Sequence, residues 1–232
     1  MTVAEPLLIA GVGGALCALD AAPLAQTLLS QPLPAAVLTG ALLRCENTAA
    51  PVGIALQVLW TALLPLGGSL IPDSGPAMVG AVAAAALLLG GDEASAAWAA
   101  PICFLVALGA GMAGARTVMW ARRWNHTLLR SAELRVIAGD VAALERSHAV
   151  ALGLSALRGA GVALATALAG WSAGALAARL LPSAAPAVAA ACHWALPAGI
   201  GVLAAAAWMR TRKAPWLLAA GAALACGIAV RV

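Results

Sequence analysis

The sequence predicts an all-α, polytopic membrane bundle with re-entrant or broken hairpin segments, and three observations carry that prediction. Of 232 residues, 63% are hydrophobic and only 9% are charged, against about 25% charged in an average soluble domain. The mean hydropathy is +0.97, so the chain lacks the polar surface needed to cover a water-soluble core. Finally, the apolar residues gather in long runs of Ala, Leu, Val and Gly, the composition of closely packed membrane helices. The same numbers exclude a disordered chain, which is poor in apolar residues and rich in charge. The absence of any period excludes collagen and elastomer-like repeats.

Taken in order, the apolar runs cover about residues 6–19, 35–43, 51–71, 76–90, 94–115, 149–178, 184–209 and 215–230. The first follows Glu5 and has no basic flank before it, so it reads as a retained membrane element and not as a cleaved signal. Residues 35–43 reach only about 13 Å as helix, and they follow Gln31-Pro32-Leu33-Pro34. Residues 51–71 have the length of a span but are interrupted by Pro65, Gly67 and Gly68. Two defective segments in succession are the pattern of re-entrant hairpins that line a transport site, or else of two kinked spans. Residues 94–115, 149–178 and 184–209 are long enough to cross. The run 149–178 would reach about 45 Å, which requires it to tilt, bend or protrude.

Charge then orients the chain. Twelve Arg and one Lys stand against nine acids, giving a net charge of +4. Arg116, Arg122, Arg123, Arg130, Arg135 and Arg146 lie in the long polar stretch 116–148, which is expected in the cytoplasm. Arg210-Thr211-Arg212-Lys213 falls on the same side two crossings later. The acidic Gly91-Asp92-Glu93 turn then faces outward. Within the polar stretch Leu134, Ile137, Val141 and Leu144 recur at helical spacing and predict an amphipathic helix, either lying on the inner membrane surface or docking a partner. The basic excess reads as topology, Arg and Lys gathering in cytoplasmic loops, and not as nucleic-acid binding.

Polar groups inside apolar surroundings need a partner or a function. Asp20 ends the first run, Asp73 follows the broken segment, and Arg158 lies within a span, positioned to pair with either Asp20 or Asp73 or to snorkel. His148 opens the span that holds Arg158, and His193 opens or interrupts the following one. Asp73, between Pro72 and Ser74-Gly75, also fits a turn cap. Gln57 both donates and accepts hydrogen bonds, which suits a hydroxyl-rich ligand such as a sugar or equally a neighbouring helix backbone. Cys17, Cys45, Cys103, Cys192 and Cys226 have no metal-ligand spacing and read as small buried hydrophobes. No nucleophile elbow, zinc helix, phosphate loop or carboxylate cluster points to an embedded enzyme, and no cofactor is implied.

The order Leu19-Asp20, Gln31-Pro32-Leu33, Thr39-Gly40, Gly53-Ile54-Ala55-Leu56-Gln57, Gly67 and Pro72-Asp73 resembles the IIC component of the mannose/fructose/sorbose phosphotransferase family. The specific motifs fall in residues 19–75, and the likeness continues more loosely along most of the chain. Where the family has an acidic residue after Leu, this chain has Gln57. The family's Gly-Asp is Arg44-Cys45 here, its Arg before Pro-Leu is Gln31, and a mid-segment Asn is Pro65.

The resemblance implies a single membrane domain, 1–232, of a bacterial inner-membrane sugar permease. Residues 1–90 would form its substrate half, 116–148 its cytoplasmic stretch and 149–232 its C-terminal spans. It implies a IID membrane partner, soluble IIA and IIB components that perform the phosphoryl transfer, a hexose-type sugar, and hetero- and homo-oligomeric assembly in the lipid bilayer. Gln31, Gln57, Asp73 and Asp20 are the expected substrate-binding residues. Two other readings stand beside it: a non-transporting regulatory or structural subunit, and an unrelated small-solute permease.

Overall fold

Small residues decide how closely these helices meet. The computed structural model describes residues 2–182 apart from 22, 23, 25 and 62–70, together with 187 and 190. The described part is an all-α membrane helical bundle. Its helices are α1 (Ala4–Ala21), α2 (Pro32–Leu43), α3 (Glu46–Thr61), α4 (Ser74–Leu89), α5 (Glu93–Ala97), α6 (Ala99–Ile137) and α7 (Ala142–Leu180). Among the described residues, α1, α6 and α7 are long and apolar enough to cross a membrane. The runs predicted over 184–209 and 215–230, with Cys192, His193, Arg210, Lys213 and Cys226, lie outside the described residues apart from 187 and 190, as do Pro65, Gly67 and Gly68.

Helix α4 is the centre. It is apolar on every side, the pattern of a helix surrounded by protein, and all of its residues 75–88 are buried. Helices α1, α2, α6 and α7 pack around it. Glycines set the distances. A Cβ added to Gly80 would fall 2.2 Å from the carbonyl oxygen of Ala163, and one on Gly170 would fall 2.7 Å from the Cβ of Ala84. Where α1 crosses α7, Gly14 and Ala18 face Gly159 and Ala163, two small residues four apart on each helix. A Cβ on Gly159 would lie 2.2 Å from the Gly14 carbonyl oxygen. This small-xxx-small pairing lets backbones touch and gains dispersion contact in place of hydrophobic driving force.

Helices α2 and α3 form a hairpin, and α2 is too short to span. Its 12 residues extend about 18 Å, against a hydrocarbon core of about 30 Å. Pro32 begins α2, where its missing N–H costs nothing. The helix ends at Arg44, whose left-handed backbone (φ 56°) turns the chain into α3. Gly40 against Ala49 and Gly53 against Ala36 bring the two helices together. Pro51 is accommodated inside α3, so this helix starts before the proline and not at it. Past α4, Asp92 caps α5 by accepting from the Ser95 amide at 3.0 Å. Hydrogen bonding from Ser95 holds the Asp92 carboxyl below its usual range.

The stretch 116–148 corrects an expectation. It is not one amphipathic helix on the membrane surface but the far half of α6 and the first two turns of α7, joined by a turn. The helix is stopped by Gly139 (φ 97°). The Gly139 amide donates to the Val136 carbonyl and the Asp140 amide to the Arg135 carbonyl, both at 2.9 Å, which is the Schellman ending. Helices α6 and α7 each have 39 residues, about 58 Å, so their paired ends project as an arm beyond the apolar bundle. Leu134, Ile137, Val141 and Leu144 flank this turn and are exposed.

Candidate functional site

A continuous strip of polar side chains crosses the bundle where α1 ends and α2 and α4 begin. It starts with Asp20, buried near the end of α1. The Asp20 carboxylate accepts from the Thr27 amide at 2.5 Å, the Thr27 hydroxyl at 2.7 Å and the Ser30 amide at 3.0 Å. These bonds fold residues 27–30 back against the helix. Leu28 between them has φ 70°, a left-handed conformation that costs an ordinary side chain about 1–2 kcal/mol. Asp20 grips the residues on both sides of Leu28 and so offsets that strain.

The next two groups belong to the short hairpin. Gln57 of α3 accepts from the Leu33 amide through Oε1 at 3.3 Å, satisfying one of the donors left open in the first turn of α2. Its Nε2 donates to Oε1 of Gln31 at 3.3 Å. Gly53 permits this approach, since a Cβ there would sit 2.5 Å from the Cβ of Ala36. Gln31 and Gln57 are both half-buried.

Ser30 links the hairpin to α4. Its carbonyl accepts from the Ser74 hydroxyl at 3.0 Å, and a Cβ on Gly75 would lie 2.8 Å from the Ser30 Cα. The adjacent Asp73 holds the N-cap position of α4, yet its side chain makes no capping bond. The turn-cap role open in the sequence is therefore not the one adopted. The Asp73 carboxylate instead pairs with Arg158 of α7, Nη1 to Oδ2 and Nη2 to Oδ1, the latter at 3.4 Å. Arg158 also donates to the Thr117 hydroxyl of α6 at 3.2 Å, and that hydroxyl donates to the Gly114 carbonyl at 2.7 Å. A Cβ on Gly114 would come within 2.8 Å of the Asp73 Cβ, so glycine is what admits the carboxylate. The side chains of Asp73 and Arg158 are 5% and 10% exposed. Of the two acids open to Arg158, the bundle selects Asp73.

The four residues expected from sequence, Asp20, Gln31, Gln57 and Asp73, thus fall along one strip. Their situations differ. The two carboxylates are buried with both oxygens engaged by internal donors, so they order the strip. The two carboxamides are partly accessible and use neutral bonds, which exchange readily for hydroxyl groups of a ligand. Thr27, Ser30, Ser74 and Thr117 are participants that the sequence does not single out. A hydroxyl on an apolar helix, as at Thr117, carries no signal, whereas Thr27 and Ser30 follow Asp20 within a turn. His148 lies exposed on the arm, away from the strip.

A groove of about 660 Å³ lies beside this region, walled by Leu8, Val12, Leu16, Leu38 and Leu42 among others. Its lining is apolar and includes none of the four residues, so it suits acyl chains and not a polar ligand. Cys17, Cys45 and Cys103 are free and buried. Among the described residues no group of three His, Cys, Asp or Glu side chains comes together.

The fold and its buried polar strip define an integral membrane protein, a helical bundle packed around the buried helix α4. Comparison with protein-family models, curated proteins and solved structures gives no significant match.

Proposed function

We propose that the chain is the membrane-embedded, sugar-translocating subunit, of the IIC type, of a mannose/fructose/sorbose phosphotransferase system. In this reading it is multi-pass in a bacterial inner membrane and works with a IID membrane subunit. Soluble IIA and IIB components phosphorylate the sugar, so the chain itself performs no phosphoryl transfer. The observation that carries the reading is the half-buried Gln31–Gln57 pair, which ties α3 to the start of α2, a helix of 12 residues too short to span. Irregular or broken helices at membrane depth are where transporters place their sites, and the sequence motifs around these residues are those that resemble the family.

The chemistry follows from the pair. A hexose hydroxyl donates to one carboxamide oxygen and accepts from the other carboxamide nitrogen, replacing the mutual bond between Gln31 and Gln57. Asp20 keeps residues 27–30, and with them Gln31, in position. Asp73, fixed by Arg158 and Thr117, anchors the start of α4 against α6 and α7. The hairpin is the element free to shift relative to this scaffold and alternate access. Phosphorylation of the released sugar makes uptake irreversible.

The test is sugar uptake into vesicles that contain the chain with its IID and soluble partners. Gln57→Ala removes one neutral hydrogen-bonding group, worth about 0.5–1.5 kcal/mol, and is expected to raise the KM for the sugar several-fold while the complex still assembles. An unchanged KM removes Gln57 from the site. A second reading, a subunit that assembles without transporting, is favoured by Gln57 standing where the family has a carboxylate and by its bond to the Leu33 amide. Assembly of the unmodified chain with no uptake of any hexose would establish that second reading. Uptake by the chain alone would indicate an unrelated permease.

A further inference from the structure

The charges of α6 are all of one sign over most of its length. Between Glu93 and Glu133 the chain has no Asp or Glu but carries Arg116, Arg122, Arg123 and Arg130. All four are exposed, and among the described residues the ion pairs are made by other arginines, Arg146 and Arg158. At about 100° per residue, Arg116, Arg123 and Arg130 line one face of the helix, and Trp120 and Trp124 run alongside them. The two indoles are exposed and stand together, with ring centroids 5.7 Å apart at an interplanar angle of 55°.

Position gives this face its meaning. Residues 99–115 of α6 contain no charged side chain and extend about 25 Å, close to the thickness of a hydrocarbon core. Arg116 therefore marks where the helix leaves the core. Trp120, Arg123 and Trp124 follow within about 12 Å, at the depth of the headgroups. Tryptophan gathers at that depth because its body is apolar and its N–H seeks a polar partner. Guanidinium groups bind phosphate oxygens in bidentate fashion. Here they have exposed donors, no acid on the same stretch of helix, and an exposed pair of indoles beside them.

We propose that the Arg116, Trp120, Arg123 and Trp124 face of α6 binds the phosphate headgroups of anionic phospholipids and fixes the depth at which the bundle sits. This inference is independent of any transported substrate.

The test is native mass spectrometry of the full chain, purified in detergent and offered phosphatidylglycerol or phosphatidylcholine of identical acyl chains. The intact chain is expected to retain phosphatidylglycerol in preference, with the preference falling as salt is raised. Each arginine near an anionic surface contributes about fivefold. Arg116→Gln with Arg123→Gln should therefore weaken phosphatidylglycerol binding about 25-fold and leave phosphatidylcholine unchanged. Arg130→Gln, about 21 Å beyond Arg116 and about 10 Å beyond Arg123 along the helix, should change it less than twofold. Equal retention of the two lipids by the intact chain overturns the proposal without needing a variant to fold. So does a double variant that melts normally and binds phosphatidylglycerol undiminished. Displacement of the lipid by inorganic phosphate, or by polyglutamate, would reassign the face to free anions or to an acidic protein and would equally overturn it.

Discussion

Replacing Arg158 by Met strands the Asp73 carboxylate inside the bundle. Its two guanidinium contacts disappear, and the Thr117 hydroxyl loses its donor. Both members of the pair are almost wholly enclosed, at 5% and 10% exposure, so water cannot replace what is removed. Breaking a buried ion pair from one side costs about 3–5 kcal/mol, a large part of the stability of an ordinary domain. The arm supplies an internal control. Arg146 pairs with Asp140 at 63% and 44% exposure, and exposed pairs contribute about 0–1 kcal/mol. Unfolding in detergent can be followed with a thiol-reactive dye in a background with Cys192→Ala and Cys226→Ala, because Cys17, Cys45 and Cys103 are free and buried until the bundle opens. Arg158→Met is expected to lose several times more stability than Arg146→Met. The double variant Asp73→Asn with Arg158→Met is expected to recover part of the loss, since neither charge is then left alone. The reasoning is refuted if Arg158→Met and Arg146→Met melt alike.

Three further outcomes are expected from the same preparation. Gly159→Ala forces a Cβ to within 2.2 Å of the Gly14 carbonyl oxygen and should cost about 1–3 kcal/mol by overpacking, whereas Gly161→Ala, two residues along and with no atom of the described residues within 4 Å, should be neutral or stabilise by about 0.5–1 kcal/mol; paired melting curves separate them. Gly139→Ala places a side chain at φ 97° and should lower stability by about 1–2 kcal/mol, with faster amide exchange at Gly139 and Asp140 than in the unmodified chain. Asp20→Ala removes the acceptor of three hydrogen bonds, so the Thr27 and Ser30 amides should exchange at least tenfold faster; unchanged protection there would show that Asp20 does not hold this segment.

Much of the architecture is legible in the residues because the membrane makes composition decisive. Short reach and flanking prolines mark α2 as unable to span, and the structure keeps it to 12 residues. An ionisable group in an apolar run demands a partner, so Arg158 announces that one of the acids lies beside it. Which acid is chosen depends on Gly111 and Gly114 of α6. The Gly111 carbonyl accepts from the Asp73 amide at 3.0 Å and the missing Cβ of Gly114 leaves room for the side chain, neither of which the sequence shows as a pair. The arm was obscured for a different reason. Leu134, Ile137, Val141 and Leu144 keep helical spacing across the turn, so periodicity suggests one helix. Gly139, followed by Asp140, is the stop signal, and its backbone conformation overrides the period. Thr117 and Ser74 stay hidden because a lone hydroxyl in an apolar segment looks the same whether it bonds its own backbone or a charge on another helix.

The measurement that bears most directly on the proposed role is a mild-detergent purification of the tagged full chain from its native membrane, with mass spectrometry of the proteins that accompany it. A permease subunit of the phosphotransferase kind predicts a IID-type membrane protein in near-stoichiometric amount. A chain that purifies alone from several detergents contradicts that role.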